Sequence, residues 1–217
     1  MSTRITVLIS GRGSNLAALL AAQARGALGG GRMVRVLANR PHAGGLAIAA
    51  GHGVPTGVVD HHDYAQRDAF DAALGDALAS DAPDLVVLAG FMRVLGAAFI
   101  GRFAGRMLNI HPSLLPSFPG LHTHRRALAE GVRVHGCTVH FVTPDVDVGP
   151  IVAQAAVPVH DDDDEASLAA RVLVAEHVLL PRAVAWYCSG RLAIVGKRVH
   201  LTTDRKPADS TLFAPDA

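Results

Sequence analysis

Short apolar runs rich in β-branched residues alternate with helical stretches through the first half of this 217-residue chain, and that alternation leaves few folds open. Thr6 to Ile9, Val34 to Leu37, Thr56 to Val59, Leu85 to Leu88 and Met107 to Ile110 read as buried strands. Asn15 to Arg25, Ala43 to Gly51 and Asp63 to Ser80 read as the helices between them, the last with an apolar face of Ala65, Ala69, Ala72, Ala73 and Leu74. Strand–helix–strand connections are right-handed and bring successive strands in parallel. The pattern therefore predicts an α/β fold, a mainly parallel sheet flanked by helices.

The pattern changes in the second half. Gly136 to Val142 and Ile151 to Val159 are strand-like and joined by T-P-D-V-D-V-G-P, which predicts an antiparallel pair. An acidic run, Asp161 to Glu165, precedes a helix from about Ala166 to Cys188, where negative charge suits the positive end of the helix dipole. Leu192 to Val195 and Val199 to Thr202 read as a closing hairpin. With no repeat and no linker, residues 1–203 read as one domain, and the polar, proline-bearing residues 204–217 as a flexible tail.

Composition excludes several classes of function. A formal charge of +1, with 18% charged residues and no basic block, gives no footprint for nucleic acid. No apolar run approaches the roughly 20 residues of a membrane span, and Ile5 to Ile9 is too short for a signal peptide. Cys137 and Cys188, the only two cysteines, fit free thiols in the reducing cytoplasm better than a disulfide framework.

Chemistry concentrates in M-L-N-I-H-P-S-L-L-P-S-F-P-G-L-H-T-H, Met107 to His124. Asn109 and His111 stand two apart, on one face of a strand that must end at Pro112, whose nitrogen has no hydrogen to donate. In an open α/β sheet such a strand end is where ligands bind. The first strand runs into S-G-R-G-S-N, Ser10 to Asn15, where Gly11 and Gly13 let the backbone approach a ligand closely and free amides at a helix start favour an anion. The Walker pattern and the full G-x-G-x-x-G are both absent, so a small phosphate monoester fits better than a nucleoside triphosphate or dinucleotide. Asp147 or Asp145, on the loop held by Gly149 and Pro150, is placed to hold a His111 imidazolium. His122, His124, His135 and His140 lack cysteine or carboxylate partners at zinc spacing, and no metal is expected. Ser113 lacks a nucleophile elbow, and neither cysteine has an electropositive setting.

Assembled in order, these segments resemble the phosphoribosylglycinamide formyltransferases, folate-dependent enzymes of purine biosynthesis. The resemblance covers Ile5 to Leu192 through V-L-I-S-G-R-G-S-N-L, L-A-G-F-M-R-V-L, L-N-I-H-P-S-L-L-P, P-G-L-H-T-H, H-G-C-T-V-H-F-V-T, D-V-G-P-I and A-E-H. It implies a Rossmann-like formyltransferase fold and transfer of a formyl group from 10-formyltetrahydrofolate to the amine of glycinamide ribonucleotide, with no metal. By the same matching Asn109, His111 and Asp147 are catalytic. Gly13, Ser14, Asn15 and Glu176 hold the nucleotide. Arg67, Met92, Arg93, Val94, Leu95 and Thr143, with Asn109 and Asp147, line the folate site. A cytoplasmic monomer or homodimer is expected, with small-molecule partners only.

Two positions depart from the family pattern. Leu173 stands where relatives often carry a polar residue near the nucleotide, and Val148 follows the catalytic aspartate where some carry glycine. Two rivals share part of the pattern. A formyltetrahydrofolate hydrolase uses the same N-x-H and S-L-L-P segments, but usually adds an N-terminal regulatory domain, for which a first strand starting about four residues in leaves no room. A non-catalytic nucleotide- or folate-binding protein does not need Asn109, His111 and Asp147 together.

Overall fold

β1 (Thr3–Ile9) and β4 (Leu85–Leu88) lie side by side in a nine-stranded sheet. In this computed structural model, which describes residues 2–202, the strand order is β3-β2-β1-β4-β5-β6-β7-β9-β8. β2 (Gly31–Ala38), β3 (Thr56–Val58) and β5 (Met107–His111) run parallel to β1 and β4, as the strand–helix alternation predicts. β6 (Val134–Phe141) pairs antiparallel with β5 and with β7 (Ile151–Pro158). The hairpin of β8 (Leu192–Val195) and β9 (Arg198–Leu201) joins β7 through Ile151 and Arg198, in parallel, a contact the hairpin pattern does not predict. The expected tail, residues 204–217, lies outside the described residues.

Alternation along each strand feeds two separate cores. Val7, Ile9, Val87, Leu108 and Ile110 pack with α1 (Ser14–Ala24), α2 (Gly45–Gly51), α5 (Thr123–Ala129) and α6 (Glu165–Cys188). Leu8, Val86, Leu88 and Met107 point the other way, against α3 (Arg67–Ser80) and α4 (Ala97–Arg102). Each fully buried leucine or phenylalanine contributes about 1.5–3 kcal/mol, so both faces are firmly set. The buried face of α3 differs from the alanine stripe read in the sequence. It is Phe70, Leu74 and Leu78, while Ala65, Ala69 and Ala72 are exposed, because larger side chains remove more apolar area from water.

The acidic run is used by the helix it precedes. Asp164 caps α6, accepting from the Ser167 amide at 2.7 Å, and the Ser167 hydroxyl accepts from the Asp164 amide at 3.0 Å. Arg171 grips both oxygens of Asp163 at 2.7 and 2.8 Å.

Candidate active site

Pairing of β5 with β6 stops at His111 and Thr138, immediately before Pro112. The sheet's alternation places Asn109 and His111 on the same side as Met107, the side covered by α3 and α4. Past α4 that cover is completed by the loops that follow β5 and β6, which enclose a cavity of about 500 Å³. Asn109, His111 and Asp147 all line it, as do Met92 to Leu95 and Thr143. Its wall also includes apolar Leu88, Phe91 and Ile100.

Geometry separates the two candidate acids. Asp145 is exposed, whereas one oxygen of Asp147 lies 3.4 Å from His111 Nδ1 and accepts from the Gly120 amide at 2.8 Å. Asp147 adopts φ +58°, an uncommon conformation for a residue with a Cβ. Gly149 helps to hold the turn, since any side chain there would strike the Phe141 carbonyl. Burial raises the Asp147 pKa, but contacts from His140, the Gly120 amide and His111 outweigh it and leave the carboxyl below its ordinary range.

His111 behaves differently from the imidazolium expected of it. Burial pushes its pKa below the ordinary value, against upward pulls from the Phe118 carbonyl and Asp147. The Phe118 carbonyl, 3.0 Å from Nε2, takes that ring hydrogen, and Nδ1 faces the carboxylate. Burial thus favours the neutral ring, although an acceptor stands at each nitrogen.

The sequence reading missed His140, weighed there only as a metal ligand. It stands directly across the β5–β6 ladder from Asn109, with Nε2 3.1 Å from Asn109 Nδ2. Its Nδ1 lies 3.0 Å from the Phe141 carbonyl and donates to it, while Nε2 faces both Asn109 Nδ2 and, at 3.7 Å, Asp147 Oδ1. The amide is thereby oriented, with its second N–H left for the cavity. The hairpin register was the signal that could have found this residue.

A second arrangement lies just past β1. Gly13 has φ +82°, and a Cβ there would sit 2.5 Å from Gly45 Cα, so only glycine lets α1 and α2 start this close together. α1 has no side-chain cap, and its first amides are open to an anion. Asn15 Nδ2 donates to Glu176 Oε2 at 2.7 Å, and the buried Oδ1 of Asn15 has no partner among the described residues. Burial raises the Glu176 pKa, against a downward pull from Asn15. Ser10 links this cradle to the cavity, its hydroxyl accepting from the Met92 amide at 2.7 Å.

Arg67 opens α3 more than half exposed, with Nε 3.6 Å from Asp68 and its guanidinium beside the Gly96 backbone, next to cavity-lining Leu95 though not itself in the lining. Leu173 is half-buried and Val148 exposed. Among the described residues, donor atoms of only Asp60, His61 and His62 come within 4.8 Å of one another as a metal could use them. His61 Nδ1 is already engaged there by the Asn39 carbonyl at 2.7 Å.

A family model described as formyl transferase matches residues 3–184, which takes in the cavity, the cradle and Glu176. The chain belongs to the formyl transferase family. It is 45% identical over 203 residues to the phosphoribosylglycinamide formyltransferase of Escherichia coli, covering 94% of this chain and 95% of that one. It is 49% identical over 192 residues to the trifunctional purine biosynthetic protein adenosine-3 of Drosophila melanogaster, of whose length it spans 14%. Among solved structures, glycinamide ribonucleotide transformylase 1 from Symbiobacterium toebii superimposes with a TM-score of 0.91 at 48% identity, covering 93% of this chain and 95% of that one. The fold of this family member is thus the Rossmann-like, mainly parallel sheet with an antiparallel C-terminal part.

Proposed function

We propose that this chain transfers the formyl group of 10-formyltetrahydrofolate to the primary amine of glycinamide ribonucleotide, a step of purine biosynthesis. The observation that carries the reading is the convergence of Asn109, His111 and Asp147 on one cavity, with an anion cradle beside it. The partly apolar cavity suits the ring system of a reduced folate. The cradle suits the nucleotide phosphate at the Gly13, Ser14 and Asn15 amides, with Glu176 and the unpartnered Asn15 Oδ1 facing ribose or amide groups. Residues 1–203 act as one unit in this reading.

The chemistry follows from the side chains. The amine nitrogen bonds to the formyl carbon, whose oxygen takes up negative charge. The free N–H of Asn109 donates to that oxygen. His111 holds in transit the proton that leaves the amine, its nitrogens then donating to Phe118 and Asp147 at once, and is neutral again when that proton reaches the folate nitrogen. Asp147 guides the proton leaving the amine towards the folate nitrogen as the carbon–nitrogen bond to folate breaks. The products are a formamide and tetrahydrofolate. A cytosolic location accompanies this reading, supported by two free cysteines; no helix among the described residues is long and apolar enough to cross a membrane.

The test is release of tetrahydrofolate from 10-formyltetrahydrofolate with and without glycinamide ribonucleotide. Release that requires the nucleotide, with one formylated product per folate, supports the transferase. Release without it makes water the acceptor, and no release in either case leaves a binding protein.

A further inference from the structure

The end of α1, the loop after it and the last turns of α6 line a second, open cavity of about 530 Å³. It shares no lining residue with the first. Arg25, Arg182 and Arg191 line it, no aspartate or glutamate does, and the chain's single tryptophan, Trp186, stands among them. Gly29 lets the loop close down on α6, since a side chain there would run into the Ala185 carbonyl.

We propose that this cavity binds a nucleoside 5′-phosphate, its base against Trp186 and its phosphate between the arginines. Three arginines line one hollow, Arg25 and Arg182 exposed and Arg191 half-buried, and guanidinium forks match phosphate oxygens in pairs. One carboxylate has too few oxygens for three forks. The side chains of Arg25 and Arg182 have no hydrogen-bond or ion-pair partner among the described residues, and that of Arg191 gives only Nε to the Thr202 carbonyl at 2.7 Å.

Cations also collect near helix C-termini simply to complement the dipole. Here the last carbonyls of α6 are already met by the amides of Ser189, Gly190 and Arg191 and by the Ser189 hydroxyl, and no arginine donates to them. The apolar floor of Ala22, Val178 and Ala185 and the half-buried indole call for a flat ring as well as an anion. Pro181 has no amide hydrogen, so the His177 carbonyl four residues earlier lacks its helical donor. Both residues line the cavity, offering an acceptor to a ribose hydroxyl or an exocyclic amine.

The full chain is titrated with AMP, following tryptophan fluorescence, with sites counted by calorimetry. Saturable quenching is expected, and the double variant Arg25→Ala/Arg182→Ala weakens it at least about tenfold with melting temperature and AMP-free turnover unchanged. Inorganic phosphate at equal concentration leaves the indole unquenched. Benzoate binding as tightly as AMP overturns the phosphate assignment. Absence of saturable change at millimolar AMP overturns the site itself. So does wild-type affinity in the double variant, which assigns the binding to the cradle at α1.

Discussion

Gly13→Ala tests whether the start of α1 holds the nucleotide. The added methyl would sit 2.5 Å from Gly45 Cα and 3.2 Å from Gly45 N. Both atoms are backbone, so no rotamer change relieves the contact. Ordinary contact begins at 3.4 Å, so α1 and α2 must separate by about 0.9 Å. Alanine at φ +82° adds strain of about 1–2 kcal/mol, and overpacking usually costs about 1–3 kcal/mol. The domain should stay folded with a lower melting temperature. Amides moved by nearly an ångström lose a charge-assisted hydrogen bond to phosphate, about 1.5–3 kcal/mol, which is roughly a 10- to 100-fold rise in the nucleotide KM. Steady-state kinetics with each substrate varied in turn read this directly. A raised KM for the folate with the nucleotide KM unchanged would refute the reasoning, because the cradle would then belong to the other substrate.

His111→Ala should lower kcat at least about 100-fold in a folded protein, and near-normal turnover would remove the ring from the mechanism. Asp147→Asn should reduce turnover much more than Asp145→Asn, and the reverse order would mean that the exposed acid is the working one. His140→Leu removes the acceptor that orients Asn109, so kcat should fall about tenfold, the worth of one net hydrogen bond; an unchanged kcat would separate His140 from the reaction. Burial and neighbouring His124 push the His135 pKa from 6.5 down to about 4, and neither ring nitrogen finds a partner of good geometry. The unfolded chain then binds this proton more readily, so stability is complete above pH 6.5 and falls by up to about 3 kcal/mol as pH drops towards 4. His135→Leu should flatten that part of a stability-against-pH curve measured by urea unfolding, and a curve identical to wild type would contradict the assignment.

The parallel half of the sheet was legible mainly because β4 and the end of β1 are buried on both faces and read as apolar runs. Leu85–Leu88 matches to the residue. The N-x-H pair and its end at Pro112 were equally plain, since two-residue spacing and a missing donor are local facts. What the sequence hid depends on distance. α4 and α5 are only 6 and 7 residues long, too short for a helical period to stand out. His140 became visible only through the register that sets it opposite Asn109. Burial lowers the His111 pKa, whereas the sequence reading weighed only a loop carboxylate, Asp147 or Asp145, that would raise it.

The hydrogen bond between Asn15 and Glu176 spans 161 positions of sequence. A ribosome building this chain therefore makes the first half of the cradle early and its acidic counterpart near the end. Until α6 emerges and docks, Asn15 has no carboxylate and α1 lacks its packing against α6, so a partly synthesised or truncated chain presents glycine-rich loops but no finished cradle. Substrate capture is thereby tied to completion of the polypeptide, and fragments cut before Glu176 are expected to leave the metabolite in solution rather than hold it unproductively.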